Sequence, residues 1–244
     1  IFEITGKTDI VGAWNEIFKY HNAKRGKGEA VYQEGEKIFL KINRTSAWGM
    51  GDPWGGNVND DFTRANNDYF GVSETSPQLI LALFRHLVND VGVAQEDIYI
   101  GDPMKHIYKH DMDLWSAEFP NIHYLDHDRT DNGREVVSHG DSTIYYSDRG
   151  KVLRTGSWGN MADGEPVTQD KFYKIFEDCE YLINVPTLKG HRRAGITMFA
   201  KNHFGSHIRV DALHQHMGLV APDEPGNILE NERHEYGSYR ILVD

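Results

Sequence analysis

SPQLILALFRHLVNDVGVAQEDIYIGDP, residues 76–103, holds one helix followed by one strand, and its reading decides the fold class. Ser76 can cap a helix and Pro77 suits its first position. Leu79, Ile80, Leu83, Phe84, Leu87 and Val88 then recur at helical spacing and form a single apolar face. Asp97 to Ile100 reads as a short strand that stops at Gly101-Asp102-Pro103. The same alternation extends in both directions. A helix capped by Thr8 runs to about Phe18, with Ile10, Trp14 and Phe18 on one face, and Lys37 to Asn43 (KIFLKIN) is a strand. Downstream, Asn121 to Leu125, Ser142 to Tyr146 and Tyr181 to Val185 read as strands, and Val167 to Phe176 and Ala194 to His203 as helices. Helices alternating with short strands predict an α/β fold, a mostly parallel sheet with helices on both faces. Residues 1–244 are expected to form a single α/β domain or two closely packed lobes. The chain starts at Ile1 without an initiator methionine and stops after the mostly apolar run Tyr239 to Val243, so both ends read as truncated.

Composition narrows the function. An apolar content of 39% with 11% aromatics is globular, and no apolar run approaches the roughly 18 residues that span a bilayer. The expectation is a soluble protein, cytoplasmic or exported after signal removal. A net charge of -11 disfavours general nucleic-acid binding, which draws its affinity from phosphate neutralisation. Cys179 is the single cysteine, which excludes an intrachain disulfide and a cysteine-ligated iron–sulfur cluster within this chain. It precedes an apolar strand and reads as a buried, inert thiol.

Against this acidic background, residues 181–210 (YLINVPTLKGHRRAGITMFAKNHFGSHIRV) contain no carboxylate. The predicted strand ends at Pro186, a basic loop follows, and the predicted helix begins at Ala194. Helix N-termini and basic loops together attract anions, so a small anionic ligand is the expected partner. Lys189, Arg192 and Arg193 would neutralise its charge, beside Asn184 at the strand end. His191 or His106 would serve as general acid or base, because histidine titrates near neutrality. Lys201 would act as a ligand, a Schiff-base amine or a carboxylate anchor.

In parallel sheets ligands collect at the carboxyl ends of the strands. Here those ends are Lys41-Ile42-Asn43, Gly101-Asp102-Pro103, Asp126-His127-Asp128 and Pro186 to His191, all polar. The loop from Ser46 to Phe62 has four glycines and two tryptophans, and Trp48 and Trp54 make it a candidate lid. His106/His110, His123/His127 and His203/His207 share the spacing His-x3-His, which on one helix face suits a divalent metal. Five histidines fall between His191 and His216, and His203, His207, His214 and His216 form the candidate metal set.

The run Ile183-Asn184-Val185-Pro186-Thr187-Leu188-Lys189-Gly190-His191, followed by Ala200-Lys201-Asn202-His203-Phe204-Gly205, resembles the signature of the domain-of-unknown-function 362 family. Lys41-Ile42-Asn43, Thr75-Ser76-Pro77 and Gly101-Asp102 add matches in the family's order. The resemblance implies an α/β fold and a group often found with ferredoxin-type domains in redox settings. A more distant outline is similar to nickel-dependent lactate racemases. That likeness implies His191 and Lys201 in the region of a lysine-anchored pincer cofactor, His214 or His216 as a nickel ligand, and His106 as a proton-transferring histidine. The racemase Ser-Gly-Gly stretch is replaced here by Thr197-Met198-Phe199-Ala200.

The function expected from the sequence is an enzyme acting on a small anionic metabolite through His/Lys acid–base chemistry, with a divalent transition metal as the candidate cofactor. Its reaction classes are isomerase, racemase or oxidoreductase. The competing expectation is a non-catalytic small-anion binding protein or a redox accessory protein.

Overall fold

The computed structural model describes residues 1–45, 47, 74–145, 153–154, 165–166, 169–191 and 195–208. Two helices come first, α1 (Phe2–Thr5) and α2 (Ile10–Lys24), followed by strand β1 (Ile38–Lys41). Helix α3 (Pro77–Phe84) continues as a π-helical segment, Arg85–Val91, and leads to β2 (Ile98–Gly101). Next come α4 (Lys109–Ser116), β3 (His123–Asp126), β4 (Arg134–Val136) and β5 (His139–Tyr145). The short strands β6 (Leu153–Arg154) and β7 (Glu165–Pro166) precede β8 (Gln169–Tyr173), α5 (Ile175–Asp178) and β9 (Tyr181–Asn184). The described part ends with β10 (Lys189–His191), β11 (Gly195–Thr197), α6 (Phe199–Asn202) and the 3-10 turn His203–Ser206.

Five strands form one parallel sheet in the order β4-β3-β2-β1-β9. The chain therefore steps outward from β1 through β2, β3 and β4, then returns to the opposite side of β1 with β9. Strand order reverses at β1, which is where ligand crevices open in such sheets. The α/β class expected from the alternation is the one observed.

Side-chain alternation divides the strands between two cores. Ile38, Leu40, Ile42, Ile98 and Ile100 point into one cluster with Trp14 and Phe18 of α2, Ile80 and Phe84 of α3, and Met112 and Trp115 of α4. Phe84 anchors this cluster, with its ring 6.1 Å from Trp115 and 5.7 Å from Phe119. Phe39 and Leu125 point to the other face, against Tyr173 of β8 and Ile175 of α5, with Tyr99 and Phe176 alongside. The three longest helices thus share one face. The second face is covered by the β5–β8 pair and by short helical turns.

Local signals succeeded where they were strong. Pro77 opens α3, and its π-helical continuation stops at Gly92, whose φ of 83° lies in the left-handed region that glycine tolerates. The first long helix begins one residue later than Thr8 predicts, because the Asp9 carboxylate accepts from the Gly12 N–H at 2.7 Å.

Three expectations need correction. Val167 to Phe176 is not a helix: Gln169–Tyr173 pairs antiparallel with β5 and only Ile175–Asp178 is helical. Tyr173 faces the second core while Phe172 packs on His207, an alternation that pairing with β5 imposes on an ambiguous sequence. The strand predicted at Ser142 to Tyr146 exists as β5, but outside the parallel sheet. Nor is Ala194 to His203 one helix, since Gly195–Thr197 folds back on Lys189–His191 as a hairpin and leaves only Phe199–Asn202 helical. Gly195 and the β-branched Ile196 and Thr197 favour that hairpin over a helix start.

Truncating the aromatic anchor tests which face carries the stability. Phe84→Ala is expected to lower unfolding free energy by about 3–5 kcal/mol in denaturant titrations, the range for a fully buried Phe. Leu79→Ala, on the exposed side of the same helix, should cost less than about 1 kcal/mol.

Candidate functional site at the carboxyl edge of the sheet

Lys41 ends β1 on the same face as Phe39, two residues earlier, and its side chain is fully buried. Its ammonium uses all three donors: Asp102 Oδ1 at 2.8 Å, the Ile42 carbonyl at 2.6 Å and Asn202 Oδ1 at 3.3 Å. Burial pushes the lysine below its ordinary range, and the Asp102 charge opposes that shift. Asp102 follows β2, the neighbour of β1, and its other oxygen accepts from the Arg44 N–H at 2.8 Å. Gly205 lies against this pair: a side chain there would collide with Asp102 Oδ1, and the Lys41 ammonium is 3.3 Å from the same point. The glycine lets the backbone of the 203–206 turn lie directly on the ion pair.

A second buried pair lies behind the first. Arg44 Nη2 meets Asp111 Oδ2 at 2.7 Å, Nη1 donates to the Thr75 carbonyl at 2.9 Å, and the guanidinium sits over the Trp115 ring. Burial raises Asp111 above the usual carboxylate range, while Arg44 pulls it down. This pair joins the end of β1 to α4.

The third group pairs a histidine with a carboxylate. His106 is buried, and its Nδ1 lies 2.8 Å from Asp126 Oδ1 at the end of β3. The same oxygen accepts from the N–H groups of Asp128 (3.2 Å) and Arg129 (3.0 Å), and Oδ2 accepts from Ile107 N–H at 2.9 Å. Arg134 Nε stands 3.6 Å from Oδ2. With so many donors aimed at it, Asp126 acts as an acceptor, so the proton of the pair belongs on His106 Nδ1 and the lone pair on Nε2. His127 packs edge-on at 6.1 Å from the His106 ring, and burial holds it below the ordinary histidine range. Tyr173 approaches His127 from the β8 side, at 3.5 Å.

His106 Nδ1, Asp126 and Asp128 also bring ligand atoms within 4.8 Å of one another, the group of metal-ligating type found among the described residues. A cation there would compete with the backbone donors already on Asp126 and would face Arg134. The arrangement suits an oriented histidine better than a dedicated cation site.

Lys189 reaches from the β10–β11 hairpin back to β1, donating to Asn43 Oδ1 at 3.0 Å and Thr45 Oγ1 at 2.6 Å. Burial lowers its pKa, with Glu74 and Asp102 acting the other way. Asn184 at the end of β9 contacts the Phe199 carbonyl, Asn202 and His203. The basic segment is thus a hairpin draped over strand ends, and helix α6, four residues long, offers no extended dipole to an anion.

The remaining candidates divide. Lys201 is half-buried with its ammonium 4.0 Å from the Phe204 ring centre. His203 contacts Asn184 and Ser206, whereas His207 packs on Phe172 with Asp170 at 3.7 Å, and neither belongs to the three-residue group at His106. Other His-x3-His pairs are likewise directed apart: His110 toward Asp111 and His123 toward Glu135. The side chain of His191, and all of Arg192, Arg193, Trp48, Trp54, His214 and His216, lie outside the described residues.

Sequence reasoning located the strand ends but missed the pairings Lys41–Asp102, Arg44–Asp111 and His106–Asp126. One signal was present. In KIFLKIN, a period of two puts Lys41 on the face of Phe39, so an inward lysine needed a partner.

Breaking the first pair should be costly. Lys41→Met or Asp102→Asn alone is expected to lose about 3–5 kcal/mol in equilibrium unfolding, because one buried charge is left uncompensated. Combining the two should cost less than the sum of the singles, which a double-mutant cycle measures.

Among described helices none is long and apolar enough to cross a membrane. No curated protein and no solved structure matches the chain. One family model does match, over residues 146–231, and that range includes β8, β9, the β10–β11 hairpin and the Asn202–Gly205 turn that rests on Lys41. Over that range the chain is similar to the family described as Domain of unknown function (DUF362).

Proposed function

We propose that this chain is an enzyme acting on a small anionic metabolite at the carboxyl edge of its sheet, with His106 as general acid and base. The observation that carries the reading is the His106–Asp126 pair. A buried carboxylate fixes the ring and its Nδ1 proton, which leaves Nε2 to take and return a proton. Asp126 is itself immobilised by three backbone N–H groups and cannot swing away. Lys189 supplies a cation beside the reversal of strand order, held by neutral oxygens of Asn43 and Thr45 that a carboxylate or phosphate can join. An isomerase or racemase step, in which a proton leaves and re-enters carbon, needs only these two functions.

A second reading has its own observation, the convergence of His106, Asp126 and Asp128 within 4.8 Å. On it, a divalent cation held by these residues would bind the anion directly.

Thermal unfolding with small carboxylates and phosphate, with and without divalent metals, distinguishes the two. Under the acid–base reading, an anion raises Tm without metal, Lys189→Met removes most of that rise, and His106→Gln keeps it while abolishing proton exchange with solvent. A Tm rise that requires metal and disappears in Asp128→Asn supports the cation reading instead. If no anion shifts Tm under either condition, both readings fail.

A further inference from the structure

Donor and acceptor roles around His203 are dictated by groups that have no choice. The Lys41 ammonium can only donate and its carbonyl can only accept. Asn202 therefore turns Oδ1 to the ammonium, at 3.3 Å, and Nδ2 to the Lys41 carbonyl, at 3.0 Å. Its Nδ2 also faces Asn184 Oδ1 at 2.8 Å. Asn184 is fixed from both sides, because it receives that donor and must give Nδ2 to the Phe199 carbonyl at 3.0 Å. The second hydrogen of Asn184 Nδ2 then points at His203 Nε2, 3.1 Å away. An N–H there would oppose another N–H, so Nε2 must carry a lone pair. The remaining proton sits on Nδ1, within 3.1 Å of Ser206 Oγ.

We propose that Lys41, Asn202 and Asn184 form a one-way hydrogen-bond chain that holds His203 as the neutral Nδ1–H tautomer. His203 is thereby a positioning residue that docks the 199–206 segment onto the strand ends, not a metal ligand. Its lone pair is already spent on Asn184. The surroundings favour a neutral ring: it packs near Phe176, and burial and the Lys41 charge lower its pKa while Asp102 acts against them. Asn202 and Ser206 are almost fully buried, so their polar groups have little recourse to water if the chain breaks. The turn it holds is the one whose Gly205 rests on the Lys41–Asp102 pair. This inference concerns the docking of the turn and stands apart from the identity of any ligand.

Histidine 15N NMR on the intact chain tests it. At neutral pH His203 should show a protonated Nδ1 and an unprotonated Nε2, unchanged on adding Zn2+ or Ni2+. Asn184→Asp replaces the donor with an acceptor, and should move the proton to Nε2 or charge the ring. Hydrogen exchange of the Asn202 and Ile208 amides, bonded to Met198 and Lys171 carbonyls, reports docking separately. His203→Gln, whose side-chain oxygen can replace the Nε2 acceptor, should keep exchange within about twofold of the parent. His203→Leu should speed it by about five- to tenfold, the worth of one lost buried hydrogen bond. An Nε2–H tautomer in the parent chain, a metal-dependent shift of the His203 resonances, or equal exchange in the Gln and Leu variants would overturn the proposal. The parent spectrum decides even where a variant does not fold.

Discussion

A lysine ammonium with no exposure to solvent constrains the structure around it. Removing such a charge from water costs several kcal/mol even after relaxation, and a single carboxylate repays this only if the remaining donors are also satisfied. Parallel pairing provides the first part, since Lys41 sits in register with Gly101 and Asp102 follows immediately. The other neighbour of β1 provides the second, since Lys41 is in register with Asn184, which orients Asn202 toward the ammonium. The third comes from Gly205, whose lack of a side chain lets the turn close over the pair. Sheet order, strand register and the Asn202–Gly205 turn are therefore joined through one nitrogen atom.

The same edge holds further buried pairs of different character. Arg44–Asp111 ties the end of β1 to α4 beneath Trp115, and its role is architectural. His106–Asp126 differs because the histidine keeps a ring nitrogen outside the pair. Buried ion pairs such as Lys41–Asp102 and Arg44–Asp111 are a poor way to gain stability, since apolar residues of similar volume would serve as well. Lys41–Asp102 lies where strand order reverses, and Asp126 ends β3 on the same edge.

The hairpin over residues 189–197 changes how the basic segment is understood. A loop opening a helix would have attracted an anion through unpaired N–H groups. A hairpin spends backbone groups on its own ladder, so the positive charge it presents is that of side chains such as Lys189. The absence of carboxylates from 181–210 fits that picture: an acid within the hairpin would neutralise Lys189 or compete with Asp102 for Lys41.

How much of this was legible follows from the range of the interactions involved. The α/β class, the start of α3 at Pro77, and the positions of β1, β2, β3 and β9 were determined by the sequence itself. Apolar periodicity, Pro, Gly and capping groups act over a few residues, and these elements carry them strongly. The identity of Gln169–Tyr173 as a strand and of Gly195–Thr197 as half of a hairpin was decided by tertiary pairing, because neither segment has a local preference large enough to resist a partner. The strand ends were recognisable as the polar edge, and His106, Lys189 and Asn184 were named there. Which charge meets which was not, since Lys41 and Asp102, Arg44 and Asp111, and His106 and Asp126 lie apart in the chain and meet only once strand order is set. Sequence determined which groups must be buried; the order of the strands decided their partners, because the cost of burying a charge is met by whatever the fold brings within hydrogen-bonding distance.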